Sequence, residues 1–240
     1  MAEQELITIG EAAEILGVSI DTLRRWDKNG KLNPVKTSDA GYRLYDKSQI
    51  ELYLNDLFSI AEEWVFNGVE IPTKFYCSNS AVFQTKLAKM QELLNSVPEL
   101  NNIFPLLVAV AGEIGNNSFD HNLGNWPDTP GIFFGYDAHK KIIILADRGV
   151  GILSTLKRVK QGLETHEDAM RVAFTEVLSG RSPESRGNGL KFVRKVMAEN
   201  PIGLLFQTGD AELVLNKDSD ILNIKHLAGS FRGCVALISF

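Results

Sequence analysis

Glu113 and Asn117 stand four residues apart in a stretch, 103–122, that is apolar as far as Gly112 and then turns polar at Glu113, Asn116, Asn117, Asp120 and His121. At helical spacing, a carboxylate and a carboxamide separated by four positions leave the same face. Two glycine motifs follow: Asp147-Arg148-Gly149-Val150-Gly151, and Arg186-Gly187-Asn188-Gly189-Leu190. The second opens onto 190–197, which reads as a helix. Glycines let backbone approach a ligand without side-chain obstruction. A glycine turn entering a helix also aims free N–H groups and the positive end of the helix dipole at phosphate oxygens. The three stretches together read as parts of one nucleotide site, and no GxxxxGK[ST] phosphate loop competes for that role.

Several elements must position these residues. Segments 131–136 and 141–146 are β-rich runs joined by Asp137-Ala138-His139-Lys140, a hairpin whose second strand delivers Asp147 at its end. Upstream, 81–94 carries Val82, Leu87, Met90 and Leu94 on one face of an amphipathic helix. Downstream, 202–207, 212–216 and 233–240 are further β-rich runs. Between the glycine motifs, 153–184 contains a helical piece at 168–178.

In this order and spacing, Glu113-x-x-x-Asn117, Asp147-x-Gly149-x-Gly151 and Gly187-x-Gly189-Leu190 resemble the N, G1 and G2 boxes of the GHKL ATPase superfamily. That group includes the gyrase, MutL, heat-shock chaperone, histidine-kinase and anti-sigma-kinase ATP-binding domains. The resemblance spans about 80–240 and implies a Bergerat-type α/β sandwich, a mixed sheet with helices on one face, that takes ATP and Mg²⁺. It implies Asn117 as the Mg²⁺ ligand through its amide oxygen, Glu113 as general base toward water, and Asp147 as acceptor for the adenine amino group. Gly149 and Gly151 would admit the base. Gly187, Asn188, Gly189 and Leu190 would bind phosphate, with Arg181, Arg186 and Lys191 nearby, and 153–184 would be the ATP lid. Asp120 and His121 read as satisfied polar or lid-contacting groups. His166-Glu167 is similar to a histidine-kinase phosphoacceptor but lacks dimerisation helices around it, so it reads as a surface pair.

The N-terminal third has a different pattern. Thr8 caps a short helix with Ile9, Ala12, Ala13 and Leu16 on one face, and Gly17 stops it. Ser19 caps a second helix that turns Leu23 and Trp26 inward. Leu32, Pro34 and Val35 read as a short strand, with Tyr42-Arg43-Leu44-Tyr45 returning and Asp46 capping a third helix. The helix-turn-helix, the Leu-Arg-Arg-Trp helix and the Gly-Tyr-Arg-Leu-Tyr wing resemble the MerR-type winged helix-turn-helix. The resemblance implies that Thr22, Arg24 and Arg25 lie on the recognition helix, with Arg43 and Tyr45 on the wing at double-stranded DNA. Residues 1–54 carry seven Lys and Arg against nine Asp and Glu. A monomer should therefore hold DNA weakly, and a homodimer is expected. The long helix through which this family dimerises is not evident in the sequence.

The chain has 240 residues, 44% hydrophobic and 23% charged, with a net charge of -5, ordinary for a globular protein of one or two cores. Cys77 and Cys234 make neither a disulfide framework nor a zinc motif. No basic, apolar leader and no run approaching the ~18 residues of a membrane span is present, so a cytoplasmic location is expected. The expected class is α+β, with a winged helix-turn-helix at 1–56, a connector at 57–79 and the ATP-binding domain at 80–240. The functional expectation is an ATP-responsive DNA-binding regulator with slow ATP hydrolysis. Two alternatives remain open: a protein serine kinase of the anti-sigma type acting on a protein partner, and an ATP sensor that does not hydrolyse.

Overall fold

A computed structural model describes residues 5–38, 41–176 and 189–240. Two compact units divide the chain, Met1–Tyr76 and Cys77–Phe240. Residues 57–76 thus group with the N-terminal unit.

In the first unit, β1 (Leu6–Thr8) runs into α1 (Ile9–Leu16), with Thr8 as the cap. The Glu11 N–H donates to the Thr8 hydroxyl at 3.3 Å and the Thr8 N–H to the Glu11 carboxylate at 2.7 Å, a reciprocal capping box. Gly17 ends α1 at φ 67°, the left-handed conformation that favours glycine. Ser19 caps α2 (Ile20–Lys28). The turn and both helices fall where the spacing puts them.

The wing is displaced from expectation. Its outer strand, β2 (Lys36–Thr37), lies beyond Leu32-Pro34-Val35 and pairs with β3 (Arg43–Asp46). Pro34 has no N–H to give a ladder, and the first cross-strand bond comes from the Val35 N–H to the Leu44 carbonyl at 2.8 Å. Leu6–Thr8, unforeseen in the sequence, pairs antiparallel with the other edge of β3. Leu16, Leu23, Trp26, Tyr45 and Ile50, the last on α3 (Lys47–Asn55), share the core of this unit. The next helix, α4 (Leu57–Asn67), buries Leu57, Ile60, Ala61, Trp64 and Val65, so this part of the expected connector has a packed face. Lys31 links to it through an ion pair with Glu63 at 2.5 Å while its ammonium lies 4.4 Å from the Trp26 ring centroid.

The second unit is built on one five-stranded sheet of order β4-β5-β6-β8-β7. In chain order its elements are β4 (Tyr76–Cys77), α5 (Ser80–Asn95), α6 (Phe104–Asn122), β5 (Ile132–Asp137), β6 (Ile142–Asp147), α7 (Gly151–Leu156), α8 (His166–Thr175), α9 (Gly189–Glu199), β7 (Gly203–Leu215) and β8 (Asn223–Ser239). The β5–β6, β6–β8 and β8–β7 pairings are antiparallel. Alternate strand residues Ile132, Phe134, Ile143, Leu145, Leu204 and Phe206 join one core with Phe83, Leu107, Val110, Met170, Phe174 and Val193 of the helices. This is the period-two pattern of a sheet face covered by helices.

The C-terminal strands are longer than the β-rich runs alone indicate. Thirteen residues of β7 and seventeen of β8 form one twisted ladder. The register shifts between Thr208 and Gly209 and again between Gly209 and Ala211, so the apparent gap between 207 and 212 is a bulge inside one strand. The polar stretch from Asn223 has no apolar alternation to announce it. Among the described residues no helix is long and apolar enough to cross a membrane.

Candidate functional site

Helix α6 supplies most of the candidate site, and two glycines fix its position. A Cβ on Gly115 would collide with the Phe83 ring of α5, and one on Gly112 would stand 3.3 Å from Leu87 Cδ2. The two helices therefore touch at glycines, which leaves the polar end of α6 free to run past the tip of β6. Glu113 and Asn117 are half-buried on it.

Asp147 ends β6 and is 2% exposed. Its carboxylate accepts from the Ser118 hydroxyl at 2.8 Å and from the Gly149 N–H at 2.8 Å, with the Cys234 N–H a third donor. Burial outweighs these bonds and pushes the carboxyl up to about 6. A carboxylate has about four lone-pair directions, so one acceptor position is left over. Retaining a buried acid at that cost marks a functional candidate on physical grounds.

The loop after Asp147 is held to α6 by Asn122, 3% exposed at the helix end. Asn122 Nδ2 donates to the Ser118 carbonyl at 2.7 Å, and its Oδ1 accepts the Val150 N–H at 2.8 Å. A Cβ on Gly149 would fall on the same amide, so Gly149 is dictated by close approach. Gly151 is needed for a different reason, φ 76°. It starts α7 beneath Thr208, whose buried hydroxyl donates to the Gly233 carbonyl at 2.8 Å. Gly233 in turn, at φ 101°, lies where any side chain would strike the Asp147 carbonyl. Arg148 points away from this loop and joins Arg232 on the Asp128 carboxylate, which the two guanidiniums hold below its ordinary range.

Across α6, the carboxylate of Glu113 occupies the space that a Cβ on Gly189 would need. The start of α9 thereby meets the helix that carries Glu113 and Asn117. Leu190 is half-buried in the same first turn. Gly187 and Asn188, with Arg181 and Arg186, lie outside the described residues. His121 is half-buried, and burial together with the Arg158 charge lowers its pKa. The geometry thus joins Asp147 to Gly149 by a hydrogen bond, with Gly151 at the start of α7 on the same loop, and brings Glu113 and Gly189 into contact.

Ser118, Asn122, Thr208 and Gly233 were not legible as site residues. The 118/122 spacing puts two polar groups on one helical stripe, a signal available in the sequence. Thr208 and Gly233 meet only through the β7–β8 ladder, which no local pattern encodes.

In the first unit the expected DNA-facing residues divide. Arg24, Arg25 and Arg43 are at the surface, each ion-paired: Arg24 to Asp21 at 2.8 Å, Arg25 to Glu70 at 2.8 Å and Arg43 to Asp27 at 2.7 Å. Thr22 and Tyr45 are each 1% exposed, so both side chains are buried. The Thr22 hydroxyl donates to the exposed Glu70 carboxylate at 2.6 Å, which covers it. Tyr45 faces inward because the pleat of β3 alternates it away from Leu44 and Asp46 and into the core.

Residues 8–45 match the family described as MerR family regulatory protein, so the N-terminal module is a MerR-family helix-turn-helix. The type II methyltransferase M.Eco47II of Escherichia coli is 39% identical over 61 residues, 25% of this chain and 15% of the methyltransferase. The HTH-type transcriptional activator mta of Bacillus subtilis (strain 168) is 46% identical over 50 residues, 21% of this chain and 20% of the activator. A topoisomerase IV ATP-binding domain of Francisella tularensis in complex with a small-molecule inhibitor shares 15% identity at TM-score 0.36, covering 61% of this chain and 40% of that one. The N-terminal domain of a DNA repair protein shares 16% identity at TM-score 0.32, covering 64% and 40%. Likenesses of that size carry no functional argument. The chain spans at most a fifth of the two curated relatives and 40% of each solved chain.

Proposed function

We propose that the chain is an ATP-responsive DNA-binding regulator in which nucleotide bound by the second unit governs DNA engagement by the MerR-family module. The observation that carries the reading is the buried Asp147 carboxylate, held by Ser118 and Gly149 with one acceptor direction unspent. An exocyclic amine of adenine is the kind of donor that completes such a set, and Gly149 and Gly151 keep side chains off the approach. Mg²⁺ is a hard cation that prefers oxygen ligands. Asn117 would hold it through its amide oxygen, and what it supplies when bound is neutralisation of phosphate charge. Gly187, Asn188, Gly189 and Leu190 would present N–H groups to the phosphates. Glu113, on the same helix, would accept the proton of an attacking water.

On the DNA side, Arg24, Arg25 and Arg43 would exchange their carboxylate partners for phosphates. Surface ion pairs contribute only about 0–1 kcal/mol each, so the exchange is inexpensive but gains little per site. A homodimer reading paired half-sites fits that weakness, with ATP shifting the population able to engage. The test is ATP binding and phosphate release, with and without duplex DNA. The reading predicts that ATP changes DNA affinity and that Asp147→Asn abolishes the change. DNA affinity identical with and without saturating ATP would sink it.

A second reading, ATP as a ligand that is not turned over, is favoured by the tight seating of Glu113 against the Gly189 backbone. Glu113→Ala separates the two. Phosphate release that disappears while ATP binding persists supports hydrolysis; unchanged release removes Glu113 as the base.

A further inference from the structure

At the bulge of β7, three potential metal ligands converge from three elements. Glu167 comes from the first turn of α8, Asp210 from β7 and His226 from β8, and one ligand atom from each lies within 4.8 Å of the others. His226 Nδ1 is 3.4 Å from Glu167 Oε1 and 3.9 Å from Asp210 Oδ2. The other oxygen of Asp210 is 2.7 Å from His166 Nδ1. The sequence shows only an adjacent His166-Glu167 pair, and nothing in it brings Asp210 or His226 near.

The fold assembles this group by a specific irregularity. The register passes from Gly209↔Phe231 to Ala211↔His226, and Asp210 falls between them. A bulge re-aims the side chain it contains, and here it directs Asp210 toward the start of α8. Gly209 permits this twice over. Its φ is 61°, and a Cβ there would collide with the His166 imidazole. Any other residue at 209 would displace the histidine that holds Asp210.

We propose that Glu167, Asp210 and His226 form a binding site for a divalent transition cation, with His166 as a positioning residue on Asp210. One imidazole nitrogen and two carboxylates make a mixed N/O donor set, which suits Zn²⁺, Mn²⁺ or Ni²⁺ better than Mg²⁺. Three protein ligands leave positions for water. Ligand bonds of about 2.0–2.1 Å put the atoms of a tetrahedral set roughly 3.4 Å apart. The His226–Glu167 separation already has that value, and the His226–Asp210 separation shortens to it by a small rotation of an exposed side chain. A hydrogen bond to the far oxygen of a ligating carboxylate is the support that fixes such ligands and strengthens binding. A cation here would pin the first turn of α8, in the segment between the two glycine motifs, to the β7–β8 ladder. The site is independent of the nucleotide reading.

The experiment is Zn²⁺ titration of the chelator-stripped full chain without nucleotide, by calorimetry, together with the thermal shift that Zn²⁺ produces. One saturable equivalent and a raised Tm are expected. His226→Ala, at a side chain 64% exposed and so tolerated by the fold, should abolish both. Asp210→Asn should do the same. His166→Ala should weaken binding about 10- to 100-fold while keeping the stoichiometry. His139→Ala, an exposed histidine elsewhere, should change nothing, and Asp147→Asn should still bind Zn²⁺. Absence of saturable binding, or an undiminished equivalent in the His226→Ala and Asp210→Asn proteins, overturns the proposal.

Discussion

The Val150 N–H donates to the side-chain oxygen of Asn122 at 2.8 Å, while Gly149 lies flat against the same amide. One residue at the end of α6 thus satisfies the loop after β6 and forbids any side chain within it. Gly149→Ala forces the Asn122 amide to move and should cost about 1–3 kcal/mol. Asn122→Ala orphans the Val150 N–H at a cost of about 1–3 kcal/mol. The Asn122→Ala background removes the atoms that a Cβ at 149 would strike, so the double variant should be more stable than the sum of the singles indicates, by about 1 kcal/mol or more. Denaturant unfolding of the four proteins measures this directly. Strict additivity would mean that Gly149 is present for some reason other than Asn122.

Asp147 predicts a pH dependence with a definite sign. Its carboxyl is raised from 3.8 to about 6 by burial. The folded state therefore binds this proton more tightly than the unfolded chain. Its stabilising contribution is fully present below about pH 4 and is lost as pH rises through 6. At 1.36 kcal/mol per pKa unit the amount is on the order of 3 kcal/mol. Asp147→Asn should flatten that part of the stability profile and raise Tm at pH 7.5, while weakening ATP binding there. In the native protein ATP affinity should increase as pH rises through 6, since the ionised carboxylate is the better acceptor. A variant of lowered Tm and unchanged ATP affinity would assign Asp147 a purely structural role.

Much of the arrangement is legible in the sequence where local chemistry decides it. Thr8, Gly17, Ser19 and Asp46 punctuate the first unit as their capping chemistry requires. The apolar-to-polar change at Glu113 marks the working end of α6. What is not legible depends on pairing at long range. Thr208 meets Gly233, and Asp210 meets His226, only because β7 and β8 cross with a shifted register. Tyr45 shows the opposite failure: its place in a wing motif suggests the surface, but a tyrosine on a four-residue strand is assigned to one face by the pleat, and here that face is the core.

Tyr45 therefore yields a prediction that separates packing from DNA contact. Its hydroxyl is buried with no hydrogen-bond partner among the described residues. Deleting it by Tyr45→Phe removes an unsatisfied polar group, so stability should hold or rise, by up to about 1–2 kcal/mol. Affinity for duplex DNA should not change. A clear loss of DNA binding with Tm retained would return Tyr45 to the interface.

Arg24, Arg25 and Arg43 should behave in the reverse way. Arg24 and Arg25 are exposed, Arg43 is half-buried, and each is paired with a carboxylate; replacing Arg24 or Arg25 with Ala should move Tm little, because exposed ion pairs contribute about 0–1 kcal/mol. If they reach phosphate, each replacement should reduce the slope of log affinity against log salt by about 1, and weaken binding across DNA sequences alike. Binding isotherms at several salt concentrations measure the slope. Because Glu70 holds both Thr22 and Arg25, Glu70→Gln supplies the complementary case. It frees the Arg25 guanidinium from a negative charge while leaving Thr22 a hydrogen-bond partner. DNA affinity should rise in that variant at low salt and converge with the native value at high salt. An arginine series that leaves the salt slope untouched, together with no gain from Glu70→Gln, would place the DNA-reading surface elsewhere.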